Sequence, residues 1–149
     1  MSDLRELYQQ VILDHNKNPR NFHEMADATK RVEGYNPLCG DHYTIFVRTE
    51  GDTIAEVSFT GNGCAISKAS ASVMSSTVKG RTKEEAERLF DTFHRLVTGD
   101  ATGVSATDLG RLAAFSGVSE FPARVKCATL AWHTLRSAMA GGDEKVTTE

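Results

Sequence analysis

Two β-branched, aromatic runs separated by three turn residues constrain this chain most. Residues 42–49 read HYTIFVRT and residues 53–61 read TIAEVSFTG, with Glu50-Gly51-Asp52 between them. Runs of this composition joined by a Gly-containing turn predict an antiparallel hairpin. In such a hairpin the start of the first strand and the end of the second lie side by side. Those two ends carry Asp41 and Cys64.

The flanking sequence is helical. Leu4, Leu7, Tyr8, Val11 and Ile12 fall at helical spacing, with Asp3 and Glu6 placed to cap the start. Turn chemistry in HNKNPRN predicts that this helix stops before His15. TKRVEG, residues 29–34, reads as a short edge strand. The small-residue stretch CAISKASASVMSSTV, residues 64–78, reads as a helix ended by Gly80. Thr82 to Glu85 forms a capping box for an amphipathic helix through Ala86, Leu89, Phe90, Phe93 and Val97. A polar connection over residues 99–108 leads to a short helix ending near Gly117. Pro122 then occupies a first helical position, and Val125, Leu130, Trp132 and Leu135 supply the buried face up to Gly141-Gly142. Residues 143–149 are expected to be a disordered tail. The predicted class is α+β, a small antiparallel sheet packed with about five helices, as a single domain over residues 1–142.

Composition narrows the function. The 149 residues carry a formal net charge of −3, with 40% hydrophobic and 25% charged residues. This balance gives no electrostatic footprint for nucleic acid or an anionic membrane. No apolar run reaches the roughly 18 residues of a spanning helix, and the acidic-polar start MSDLRELYQQ is unlike a signal peptide. The expected location is the cytoplasm. An odd count of three cysteines there argues against a disulfide framework. Metal binding or thiol chemistry is one reading, and three small buried hydrophobes the other.

The local contexts favour chemistry. Cys39 lies in a loop before a strand, and Cys64 follows a strand between Gly63 and a helix. Cys127 lies near the start of the last helix, where the amide dipoles favour a thiolate. Their neighbours are Gly, Asp, Lys and Ser rather than large apolar residues. In an extended segment Cys39 and Asp41 point to the same side, and His42 points away as an ordinary strand residue. Three thiolates and one carboxylate make a tetrahedral donor set for zinc, with an iron–sulfur cluster as the second choice. The bare pattern is only moderately specific.

Four stretches add to this: LYQQVILDHNKNPRN, GYNPLCGD, FTGNGCAISKASASVM and FPARVKCATLAWHTL. Together they resemble the U-type iron–sulfur cluster assembly family (IscU, SufU and the N-terminal part of NifU). The similarity runs from about Leu7 to about Ser137. The resemblance implies that family's α+β fold, with the metal site at one end of the sheet. It carries Cys39, Asp41, Cys64 and Cys127 over as metal ligands.

Within the family the chain looks most like the SufU zinc-dependent sulfurtransferases. Scaffold members have a His before the third Cys, where this chain has Lys126. Scaffolds also carry Leu-Pro-Pro-Val-Lys, where this chain has FPARVK. The 62 residues between Cys64 and Cys127 look longer than in scaffolds, with an insertion around TGDATGVSATDLGRL. The resemblance implies a zinc-dependent sulfur acceptor served by a SufS-type pyridoxal-phosphate cysteine desulfurase, feeding downstream iron–sulfur assembly machinery. Cys39, on the Gly-flanked loop, is the expected acceptor. Arg124 and Lys126 are candidates for supporting the anionic site or docking the partner, against ordinary helix-surface charge. The alternative is a scaffold on which a transient [2Fe–2S] cluster is assembled.

Overall fold

In a computed structural model of the chain, residues 2–100, 109–141 and 146–147 are described. The predicted hairpin is present as β2 (Asp41–Glu50) and β3 (Thr53–Asn62), with His42 opposite Asn62 and Val47 opposite Val57. Gly51 turns the chain at φ +63°, a conformation that costs glycine nothing. The TKRVEG segment is part of β1 (Lys30–Asn36), which pairs antiparallel with β2 from Lys30 opposite Val47 to Asn36 opposite Asp41. Alternation sends Val32, Tyr43, Ile45, Val47, Val57 and Phe59 into one buried layer.

Helices cover that layer. α1 (Ser2–Lys17) and α2 (Ala65–Val78) pack together, and α2 also packs on α4 (Pro122–Met139). The small residues of α2 explain its central place. Ser67, Ala69, Ser70, Ala71, Ser72 and Ser75 are all buried, so neighbouring elements approach closely. The buried hydroxyls are satisfied: Ser70 Oγ donates to the Ala128 carbonyl at 2.6 Å and Ser75 Oγ to the Ser72 carbonyl at 2.7 Å. α4 reaches the sheet through Gly34, where any β-carbon would collide with the Thr134 side chain. α3 (Lys83–Val97) starts with the predicted capping box between Thr82 and Glu85. Its Phe90 and Phe93 stack on Trp132 at 5.7 and 5.2 Å between centroids, so Trp132 is core.

Four of the expectations about the elements need correction. α1 does not stop before His15 but runs through Lys17. His15 is buried and bonded through Nδ1 to Ser72 Oγ at 2.7 Å, and this tertiary contact holds the last turn in place. The segment before α4 is a 3₁₀ helix, Gly110–Glu120. Within the expected tail, Val146 and Thr147 form β4 (Val146–Thr147), parallel to Gly34 and Tyr35 of β1. β1 is therefore not an edge, and the sheet order is β3-β2-β1-β4. The side chains of the Asp3 cap and residues 101–108 of the polar connection lie outside the described residues. Among the described residues, no helix is long and apolar enough to cross a membrane.

Candidate metal centre

The hairpin of β1 and β2 builds the first half of the site. Its connecting residues, Pro37 to Gly40, carry Cys39 at the tip, and Gly40 turns the chain at φ +75°. Cys39 and Asp41 are brought together by this turn, not by the same-side rule for an extended segment. The Gly40 N–H donates to the Asn36 carbonyl at 2.8 Å and closes the turn. Asp41 opens β2 with its carboxylate fully buried, whereas His42 points outward and meets Glu33 at 3.2 Å.

The hairpin of β2 and β3 brings in the second half. Strand register sets His42 opposite Asn62, so Cys64 arrives beside Asp41, as the sequence predicts. The backbone N–H of Cys64 donates to Asp41 Oδ1 at 2.8 Å. Cys64 is also the N-cap of α2, and its sulfur accepts from the Ser67 N–H at 3.4 Å. Tyr43 OH and Ser67 Oγ lie 3.0 Å apart beneath the loop. Burial pushes the Tyr43 phenol well above its ordinary range.

α4 delivers Cys127 from the far side by tertiary packing. Cys127 is 1% exposed, and its sulfur lies 3.3 Å from Cys39 Sγ. Donor atoms of Cys39, Asp41 and Cys127 all fall within 4.8 Å of one another. The thiols differ in character. Cys39 is exposed, Cys64 half-buried and Cys127 buried, and all three are free. The neighbouring Cys127 thiol holds Cys64 below the ordinary thiol range, aided by Ser67 and opposed by burial. The same proximity, with burial and the nearby Cys39 and Asp41, pushes Cys127 far upward. The helix terminus that favours a thiolate thus belongs to Cys64 in α2. Cys127, six positions into α4, does not receive that benefit.

This donor chemistry fits a soft or borderline divalent metal. Thiolate and carboxylate bonds of about 2.0–2.3 Å suit donors grouped at this spacing. Asn36 is the residue that a search for thiols and carboxylates misses. It is fully buried, with Nδ2 at 3.4 Å from Asp41 Oδ2 and 3.6 Å from Cys127 Sγ. Its only sequence signal is the Asn-Pro step opening NPLCGD. Lys126 is half-buried and Arg124 exposed, one and three residues before Cys127. Arg124 lines an apolar groove of about 750 Å³ with Tyr8, Ile12, Ile66 and Phe121.

The family model described as the NifU-like N terminal domain matches residues 7–140. The "Zinc-dependent sulfurtransferase SufU" of Bacillus subtilis is 42% identical, over 93% of this chain and 93% of its own length. The "Iron-sulfur cluster assembly scaffold protein IscU" of Streptococcus pyogenes serotype M1 is 41% identical, over 93% of this chain and 86% of its own. A crystal structure from Fervidobacterium islandicum, described as a putative iron-sulfur cluster assembly scaffold protein for the SUF system, superposes with a TM-score of 0.82. It is 36% identical, over 87% of this chain and 94% of that one. Fold, thiol–carboxylate grouping and sequence therefore agree, and the chain belongs to the NifU-like N-terminal domain family, the IscU/SufU group of iron–sulfur cluster assembly proteins.

Proposed function

We propose that this protein is a zinc-dependent sulfur acceptor that takes persulfide sulfur from a SufS-type cysteine desulfurase. Cys39, Asp41, Cys64 and Cys127 are the proposed ligands. The observation that carries the reading is the contrast in access: Cys39 is exposed on a loop, while Asp41 and Cys127 are buried. An acceptor must meet a partner's sulfur, and the exposed Cys39 on its turn does so with less disturbance of the site than the half-buried Cys64 at the start of α2.

Bound zinc keeps its cysteine ligands deprotonated near neutral pH and guards them from stray oxidation. The remaining chemistry belongs to Cys39. Its thiolate attacks the outer sulfur of the desulfurase persulfide. The S–S bond breaks, its electron pair leaves on the desulfurase cysteine as thiolate, and a new persulfide forms on Cys39. Atoms and charge balance without an added oxidant or reductant. Asp41, Cys64 and Cys127 would hold the metal while Cys39 reacts, and a desulfurase histidine would stand in for Cys39 as the fourth ligand. Arg124 and Lys126 support the anionic site or face the partner. Free thiols of this kind suit the reducing cytoplasm, and the acquired sulfur passes on to downstream iron–sulfur assembly machinery.

The test is desulfurase turnover against added zinc-loaded protein. Saturable stimulation, lost in Cys39→Ala, is expected. Normal persulfide acceptance by Cys39→Ala, with loss in Cys64→Ala, overturns the assignment of the acceptor. The second reading, a scaffold for a [2Fe–2S] cluster, draws on the name of the streptococcal relative. It predicts no stimulation and a brown protein after iron and sulfide reconstitution. Lys126, in the place of the scaffold histidine, weighs against it.

A further inference from the structure

We infer that Asn36 is a positioning residue of the metal centre: its amide fixes Asp41 and Cys127 while the same residue tethers both sides of the Cys39 loop. The inference rests on the four-ligand reading above. Asn36 ends β1 directly opposite Asp41 and is fully buried. It makes four contacts that converge on the site. Nδ2 donates toward Asp41 Oδ2 at 3.4 Å and Cys127 Sγ at 3.6 Å. Oδ1 accepts from the Leu38 N–H at 3.2 Å. The backbone carbonyl accepts from the Gly40 N–H at 2.8 Å.

The chemistry needs an amide. The carboxylate and sulfur beside Nδ2 require a donor, and the Leu38 N–H requires an acceptor. Asn and Gln carry both on one uncharged amide, and Gln is a methylene too long, and the neutral imidazole of His too large, for a buried site packed around Asn. A carboxylate at this position would set a further negative charge against Asp41 and the thiolates. Donation to sulfur and to the carboxylate disperses their charge and sets their direction, as partners of metal ligands do elsewhere.

The contacts also fix what can move. The loop is held at Leu38 and at Gly40, the residues on either side of Cys39, whereas the Cys39 side chain is exposed. Asp41 and Cys127 stay in place through the same amide. The loop therefore presents Cys39 in a defined position, with displacement confined to that one thiol.

The experiment is zinc affinity by chelator competition, with the visible spectrum of the cobalt(II)-loaded protein, for Asn36→Ala and Asn36→Leu. The leucine variant keeps the buried volume but has no amide. Both are expected to bind zinc about 10- to 100-fold more weakly, with altered cobalt ligand-field bands. A role limited to packing would leave the cobalt spectrum of the leucine variant unchanged. Zinc binding within about twofold of wild type, with the wild-type cobalt spectrum, overturns the inference. Should neither variant fold, the unmutated protein decides. The Asn36 side-chain amide protons should be protected from exchange and shift on zinc loading, and rapid exchange in both states overturns it. These readouts involve no desulfurase, so loss of sulfur acceptance in the wild type would sink the proposed function while leaving this inference standing.

Discussion

The backbone N–H of Cys64 donates to Oδ1 of Asp41 at 2.8 Å, so one proposed ligand is held in place by the main chain of another. The carboxylate is at once a proposed donor to metal and the partner of a loop amide. Removing it therefore has a consequence even without metal. Asp41→Ala strands the Cys64 N–H and should destabilise the metal-free protein by about 1–3 kcal/mol. Asp41→Asn keeps an acceptor and should recover most of that loss. Chemical denaturation of the metal-free variants checks this, and equal stability of both variants would refute it.

Gly63 is where the Cys64 loop crosses the site. A β-carbon there would lie 2.5 Å from Tyr43 OH and 2.7 Å from Asp41 Oδ1. Gly63→Ala should therefore push Cys64 away from Asp41, costing about 1–3 kcal/mol and weakening metal uptake. Thermal melting and chelator competition on the same sample report both effects.

His15 gives the fold an acid-sensitive element remote from the thiols. Burial first, then the Arg20 and Arg111 cations, holds its imidazole below the ordinary value of 6.5, with Asp14 opposing. The folded state therefore favours neutral His15. Its contribution is fully present above about pH 6.5, the unfolded value, and is lost as pH falls through the lower folded value. His15→Asn should flatten the decline in stability on that acid side. Denaturation midpoints measured from pH 7.5 down to pH 5 would show it, and an unaltered slope would count against it.

Metal loading should raise the melting temperature, because the proposed ligands come together only in the native state. Free metal at 1,000 times its dissociation constant adds about 4 kcal/mol. Chelation should reverse the gain, and Cys127→Ser should abolish it. A melting temperature indifferent to zinc would remove the case for a resident metal.

Arg124 and Phe121 border the groove beside α4, and Phe121 is 58% exposed. If this rim meets the desulfurase, Arg124→Ala or Phe121→Ser should raise the amount needed for half-maximal stimulation by about tenfold, the effect of losing an anchor worth more than 1 kcal/mol. Maximal stimulation and zinc content should stay the same. Altered zinc content would place these residues in the metal site's own support instead.

Much of the fold was legible because its signals are local. Strand alternation in residues 42–61, the Thr82–Glu85 box and Pro122 at a helix start each act within a few residues. Hairpin pairing extended that reach to Asp41 and Cys64, because antiparallel strands place their ends together whatever surrounds them. What misled was equally local: HNKNPRN reads as a stop, yet a bond from His15 to Ser72, 57 residues away, carries α1 past it.

The sequence by itself determined the candidate thiols and carboxylate, the adjacency of the hairpin-borne Asp41 and Cys64 and the α+β class, since these follow from composition, period and short-range geometry. Only the tertiary structure decided that Cys127 reaches Cys39, that Cys64 rather than Cys127 holds the helix terminus favouring a thiolate, and that Asn36 joins β1, β2 and α4 at one point. Those relations arise from packing between elements far apart in the chain, where side-chain fit and buried hydrogen bonds fix the outcome and no periodicity records it.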